Sequence, residues 1–159
     1  MNLLIMILLT LTGTGVSNQN TIDQSIFPKH VSIMETSKED SLLIRQALEN
    51  YYFKGIYEGD TSLLDKIYYK GTLLFGDVKG KPYAKTLEEY ITGVQNRQSP
   101  KESGKPFKGE ILSVHIVNSI AVAEVKVKMY DFHYHEFLSF HKINGTWLIV
   151  NKMISDTSN

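Results

Sequence analysis

Cysteine is absent from the 159 residues of this chain. Its absence excludes disulfide bonds, thiolate metal ligands, a cysteine nucleophile and a lipid-modified N-terminal cysteine. An excess of one charge sign is also lacking, because 17 Lys and Arg residues balance 17 Asp and Glu residues. Nucleic acids and anionic membranes are bound through a basic field, so the neutral chain is not predicted to have either as its main partner.

The chain also lacks an apolar run of the roughly 20 residues that a membrane-spanning helix requires. The almost wholly apolar segment Leu3–Leu11 has the length of a signal-peptide core, and Gly15-Val16-Ser17 follows it as a small-x-small cleavage site. We therefore expect residues 1–17 to be a signal peptide and residues 18–36 a polar lead-in. The mature protein is then predicted to be periplasmic or secreted, with no integral membrane segment after processing.

What is present is typical of one soluble globular domain, with 42% hydrophobic and 21% charged residues. Residues 37–155 are long enough to form that domain. Within them a helical pattern precedes a series of strand patterns, an order that favours an α+β fold.

Helix signals dominate the first half of the domain. Two overlapping capping boxes, Thr36 with Glu39 and Ser37 with Asp40, predict the start of a long helix that ends at Gly59. Asp60 and Thr86 are predicted to cap two shorter helices. The apolar stripe of the long helix is predicted to comprise Leu43, Ile44, Ala47, Leu48, Tyr51, Tyr52, Gly55 and Ile56.

Strand signals follow. Residues 68–77 predict one strand, residues 79–82 a turn, and residues 99–108 a loop. Four later segments, 110–117, 120–130, 133–143 and 146–155, predict antiparallel strands. Asn144-Gly145 separates the last two, and this pair is the strongest short hairpin signal because both turn positions need a positive φ.

The hairpin turn fixes a register that predicts one core-facing set of side chains. Counting outward from it pairs Lys142 with Trp147, Phe140 with Ile149, Leu138 with Asn151, and Glu136 with Met153. The larger hydrophobic side chains lie on this face, so we assign it to the core against the helices. Glu136 and Asn151 are then polar groups in an apolar interior, where they must satisfy one another or hold a ligand.

Four segments together carry a family resemblance: Tyr57-Glu58-Gly59-Asp60, Arg97-Gln98-Ser99-Pro100, Glu136-Phe137-Leu138, and residues 144–152. In this order they resemble the putative lumazine-binding branch of the nuclear-transport-factor-2-like superfamily, over about residues 37–154. The resemblance implies a cone in which a strongly bent antiparallel sheet wraps a long N-terminal helix and two shorter helices. It also implies an open pocket and a homodimer formed through the sheet. The superfamily includes ketosteroid isomerase, polyketide cyclases and dehydratases beside many members without catalytic activity.

Two chemical alternatives remain open. His133 and His135 share one side of a strand with His141, and neighbouring histidines on a sheet can bind zinc or copper. The cavity could also support acid–base chemistry, using Tyr51 or Tyr52 with a carboxylate. The candidate carboxylates are Asp77, Asp131 and Glu136.

Our leading hypothesis is non-catalytic binding of a small apolar or planar molecule, with no cofactor and no metal. The predicted ligand-binding residues are Tyr52, Arg97, Glu136, Trp147 and Asn151. The first alternative is an isomerase-, cyclase- or dehydratase-like enzyme that uses the same pocket. The second is a dimeric interaction module with a vestigial pocket. Binding predicts a pocket with satisfied carboxylates, whereas an interaction module predicts a filled cone and an exposed apolar patch on the sheet.

Overall fold

A computed structural model describes the backbone of residues 26–158 and the side chains of residues 37–158. The predicted signal peptide lies outside the described residues. Within them, no helix is both long and apolar enough to cross a bilayer. The helices are α1 (Ile26–Ala47), α2 (Lys54–Glu58), α3 (Thr61–Ile67), α4 (Leu87–Asn96) and α5 (Pro100–Ser103). The strands are β1 (Tyr68–Val78), β2 (Lys81–Thr86), β3 (Phe107–Val117), β4 (Ile120–Met129), β5 (Phe132–Ile143) and β6 (Thr146–Asp156).

The long helix begins earlier than predicted. Because α1 starts at Ile26, within the predicted lead-in, Thr36 and Ser37 are interior helical residues and the two predicted capping boxes are wrong. Helix α1 continues through a π-helical segment, Leu48–Phe53, into α2, and together these three segments form one rod. The rod ends at Gly59, whose φ of 71° gives the predicted left-handed stop. One predicted stripe residue, Leu43, is 43% exposed and lies off the core.

The π-helical segment keeps one line of side chains buried. Every fourth residue from Asp40 to Ile56 is buried, including Tyr52 within the segment. In a regular α-helix a spacing of four drifts by about 40° per step, so such a line would turn away from the core. The wider turn of the π-helix opposes that drift, and Tyr52 therefore stays directed at the sheet.

Capping explains the short helices. The Asp60 carboxylate accepts a hydrogen bond from Ser62 N at 2.9 Å, as predicted for the start of α3. Thr86 and Glu89 form a capping box at the start of α4. A second box, Ser99 with Glu102, starts α5 inside the segment predicted to be a loop.

The six strands form one sheet in the order β2-β1-β6-β5-β4-β3. All neighbours pair antiparallel except β1 and β6, which are parallel, so the expectation of an entirely antiparallel sheet is wrong at that one pair. Strand β2 begins inside the predicted turn of residues 79–82, and no strand is predicted there. It is an edge strand containing Pro82, a residue that weakens the sequence signal of a strand.

The helices lie on one face of the curved sheet, which confirms the predicted α+β cone. Alternate residues of β4 face inward, and Leu138, Phe140, Trp147 and Ile149 of the hairpin join them in the core. Trp147 also reaches the rod, since its Nε1 donates to Asp40 Oδ1 at 2.9 Å. The sheet therefore wraps the rod with the predicted face inward.

A β-bulge changes the register in the last hairpin. The predicted pairs Lys142–Trp147 and Phe140–Ile149 are present. Beyond them Val150 is an extra residue on β6, so Ser139 pairs with Asn151. Every later side chain of β6 therefore lies on the face of the sheet opposite to the predicted one. The predicted pairs Leu138–Asn151 and Glu136–Met153 are wrong; the observed pairs are Leu138–Lys152 and Glu136–Ile154.

Candidate functional site

A buried polar cluster joins the rod to the last two strands. Tyr52 Oη donates to Glu136 Oε2 at 2.5 Å, and Lys152 Nζ lies 2.6 Å from Glu136 Oε1 and 2.7 Å from Tyr52 Oη. The side chains of Glu136 and Lys152 are 2% and 3% exposed. Both carboxylate oxygens are thus occupied, as burial of a charge requires.

Tyrosine side chains surround this cluster, and their hydroxyls stay protonated. Burial, and then the charge of Glu136, raise the pKa of Tyr52 well above its ordinary value. Burial likewise raises the pKa of Tyr68 and of Tyr90. The Lys152 ammonium lies 5.3 Å from the ring centroids of both Tyr52 and Tyr90, within cation–π range. These hydroxyls can therefore donate hydrogen bonds but not act as bases near neutral pH.

A partly enclosed cavity of about 180 Å³ lies beside the cluster, between the sheet and α4. Its polar wall includes Glu136 and Lys152, and its other walls come from α2, α4 and all strands except β3. The remaining lining residues are Ile56, Val78, Tyr83, Lys85, Tyr90, Gly93, Arg97, Val127, Met129, Tyr134 and Ile154. The cavity thus combines apolar and aromatic walls with a few convergent polar groups, the usual composition of a ligand site.

Arg97 is the C-cap residue of α4, and its side chain lines the cavity. Its Nε and Nη2 atoms are buried and find no hydrogen-bond partner within the described part of the chain. The guanidinium charge opposes the burial-driven rise in the pKa of Tyr83, Tyr90 and Tyr134. Arg97 therefore lies among these tyrosines with unused donors.

The five predicted ligand-binding residues do not all lie at one site. Glu136 and Arg97 line the cavity, and Tyr52 lies behind it in contact with Glu136. Trp147 lies elsewhere, where Asp40 accepts hydrogen bonds from its Nε1 and from Lys142 Nζ at 2.7 Å.

Asn151 is on the outer side of the sheet, and its Nδ2 donates to Leu73 O at 3.0 Å. Its predicted place in the interior is wrong because of the bulge at Val150, which puts Lys152 there instead.

Asp40 has a structural role that the sequence did not predict. Burial alone would raise its pKa, but the hydrogen bonds from Lys142 and Trp147 and the charge of Lys142 hold the pKa below its usual value. This ionised contact closes the end of the cone away from the cavity. The spacing of four that links Asp40 to Ile44 and Leu48 was the available signal.

Lys85, Tyr83 and Tyr134 line the cavity but are not among the predicted site residues. Tyr83 and Lys85 lie on β2, a strand that the sequence does not predict. Tyr134 lies on the same side of β5 as Glu136, opposite to His133 and His135. Only the inward direction of its strand position could have revealed it.

The geometry offers little support for a metal site or for acid–base catalysis. His135 Nε2 lies 2.7 Å from Glu124 Oε1, while His133 and His141 are exposed. No group of three or more His, Asp or Glu side chains in residues 37–158 is arranged to hold a metal ion. Of the carboxylates considered for acid–base chemistry, Asp131 is 91% exposed beside Lys105, and Asp77 accepts from Ser155 Oγ.

Comparison with known proteins agrees with this architecture. Residues 40–155 match the family described as "Putative lumazine-binding". A nuclear-transport-factor-2-like protein of unknown function from Silicibacter pomeroyi is 19% identical, with a TM-score of 0.68 over 76% of this chain and 98% of that one. A similar protein of unknown function from Shewanella baltica is 21% identical, with a TM-score of 0.66 over 76% and 96% of the two chains.

A third such protein of unknown function, from Methylobacillus flagellatus, is 22% identical, with a TM-score of 0.66 over 74% of this chain and 92% of that one. No functionally curated protein matches the chain. At these identities the likeness to solved structures shows the fold alone. Its fold is that of the nuclear-transport-factor-2-like proteins, and the family match, which spans most of the chain, shows that it belongs to the putative lumazine-binding family.

Proposed function

We propose that this protein binds a small, largely apolar or planar molecule in the cavity beside Glu136, without catalysing its conversion. The observation that carries the proposal is the cavity itself, lined by three tyrosines and by aliphatic side chains beside four charged groups. The name of the family, which refers to a planar heterocycle, supports the same class of ligand.

The state of Glu136 favours binding over acid–base catalysis. A general base must place a carboxylate oxygen within hydrogen-bond reach of the proton that it removes. Here Tyr52 and Lys152 hold one oxygen each, at 2.5 and 2.6 Å. The carboxylate is therefore engaged in maintaining the wall of the cavity.

Native mass spectrometry of the protein purified from its own host tests the proposal. Gly93 lines the cavity, and a Cβ added there would meet only Lys85 Nζ, at 4.0 Å, so a methyl group fits and a phenyl ring at this position is expected to fill the cavity. We expect wild type and Gly93→Ala to carry a retained small molecule and Gly93→Phe to have lost it. Equal occupancy in Gly93→Phe, or no bound molecule in wild type, would contradict the proposal.

The same spectrum tests two further parts of the proposal, export and dimerisation through the sheet. Export is supported by the sequence of residues 1–17, and predicts a mass lacking them.

Dimerisation is supported by apolar side chains between 41% and 56% exposed on the outer side of the sheet, a surface that a second copy would cover. They are Leu73, Phe75, Val122, Phe137 and Met153. We expect a dimer mass in wild type and a monomer in Phe137→Asp; a wild-type monomer would contradict dimerisation.

A further inference from the structure

The charges lining the cavity do not balance. Glu136 is neutralised by Lys152 at 2.6 Å. Lys85 and Arg97 also line the cavity, yet neither forms an ion pair with a carboxylate of residues 37–158. The cavity wall therefore carries two cations without an anion.

The unused donors of Arg97 have a specific geometry. Nε and Nη2 are the two nitrogens on one edge of the guanidinium, and both are buried without a partner. Their N–H groups are parallel and match the two oxygens of one carboxylate in a bidentate contact. A buried cationic donor without a partner is costly. The edge exposes almost no surface in this conformation, so an anionic group in the cavity reaches it when the Arg97 side chain turns toward the cavity.

The rest of the cavity limits the size and character of the ligand. A cavity of about 150 Å³ is sufficient to hold a benzene ring, and this one measures about 180 Å³. Tyr83, Tyr90 and Tyr134 provide aromatic walls, and Val127 and Met129 provide the floor on β4. A single aromatic ring therefore fits this space.

We propose that the ligand is a single-ring aromatic or heteroaromatic carboxylate, with its carboxylate on the Nε–Nη2 edge of Arg97 near Lys85 and its ring among the three tyrosines. This inference rests on the proposed function, because it specifies the chemistry of the molecule in the same cavity. It adds a requirement for charge, which binding of a neutral planar molecule would not need.

Isothermal titration of ligand-free protein with benzoate, benzamide and acetate separates the parts of this proposal. We expect benzoate to bind at least tenfold more tightly than benzamide, which has the same ring without the charge. Acetate has the charge without the ring and is expected to bind at least tenfold more weakly than benzoate. Equal binding of benzamide would overturn the anion requirement, and equal binding of acetate would overturn the ring.

Variants of the only two arginines in the chain provide the matched control. Arg97→Gln is expected to remove the preference for benzoate over benzamide, whereas Arg45→Gln, which makes the same change outside the cavity, is expected to keep it. Arg97→Lys retains the charge but not the parallel donors, so it should show an intermediate preference and serves if Arg97→Gln does not fold.

Failure of this inference and failure of the proposed function have different outcomes. If none of the three probes binds, the inference is overturned. A small molecule retained by wild type and lost from Gly93→Phe would still support the proposed function with a ligand of another class. If benzoate binds equally to wild type and Arg97→Gln, the role of Arg97 is overturned.

Discussion

At the scale of single residues, Lys152 determines whether the interior contains a paired or an unpaired charge. Its ammonium pairs with the buried Glu136 side chain beside aromatic rings, with Nζ 2.6 Å from Oε1. Removing one member of a buried ion pair leaves the other without compensation, a change that costs about 3–5 kcal/mol.

We therefore predict that Lys152→Met lowers the free energy of unfolding by about 3 kcal/mol or more in urea titrations. The double variant Glu136→Gln/Lys152→Met should recover part of the loss, because no buried charge remains and the amide oxygen can still accept from Tyr52. Asn151→Ala is the control and should cost less than about 1 kcal/mol, since it removes one partly exposed hydrogen bond. A larger cost for Asn151→Ala than for Lys152→Met would contradict the register.

The sequence predicted some of these residues and not others for a physical reason. Glu136, Tyr52 and Arg97 could be identified as polar groups on elements that face the core. Lys152 could not, because a count outward from Asn144-Gly145 assumes an uninterrupted ladder, and a single extra residue, Val150, reverses the faces of the rest of β6. A run of four apolar residues, Trp147 to Val150, obscures the position of that bulge.

At the scale of elements, the close approach of β1 to β6 depends on Gly76. Its φ is +150°, and a Cβ added there would lie 1.7 Å from the carbonyl oxygen of Ile154. This contact lies at the parallel pair that brings Val78 and Ile154 to the cavity wall. A side chain at position 76 cannot be accommodated unless the two strands separate.

We predict that Gly76→Ala lowers the free energy of unfolding by about 3 kcal/mol or more, as measured by urea denaturation, because it combines backbone strain with a collision. Gly80→Ala is the matched control: its φ is also positive, at +66°, but nothing lies within 4 Å of the added Cβ. It should therefore cost only the conformational term, about 1–2 kcal/mol. Equal costs for the two variants would show that the approach of β1 to β6 does not depend on Gly76.

Elements differ in how far the sequence predicts them. The caps at Asp60 and Thr86 and the stop at Gly59 are local signals and were predicted correctly. The start of α1 was not, since Thr36-Ser37 with Glu39-Asp40 satisfies the capping pattern inside a continuing helix. The π-helical segment and the parallel pairing of β1 with β6 depend on tertiary contacts, which no local pattern encodes.

At the scale of the whole molecule, the cone has two different ends. One end is closed where Asp40 of the rod binds Lys142 and Trp147 of the last hairpin. The other contains the cavity, in which Glu136 is satisfied and Arg97 is not. The order of helix and strand patterns predicted the α+β fold and the family resemblance implied the cone, whereas the cavity depends on the edge strand β2 and on the bulge.

The most direct test is a crystal structure of the protein as purified from its own host. We predict Lys152 Nζ in contact with both Glu136 and Tyr52, Asn151 on the outer side of the sheet, and a non-protein molecule against the guanidinium of Arg97. A structure with Asn151 in the interior, or with the space between α4 and the sheet filled by the protein's own side chains, would contradict the account.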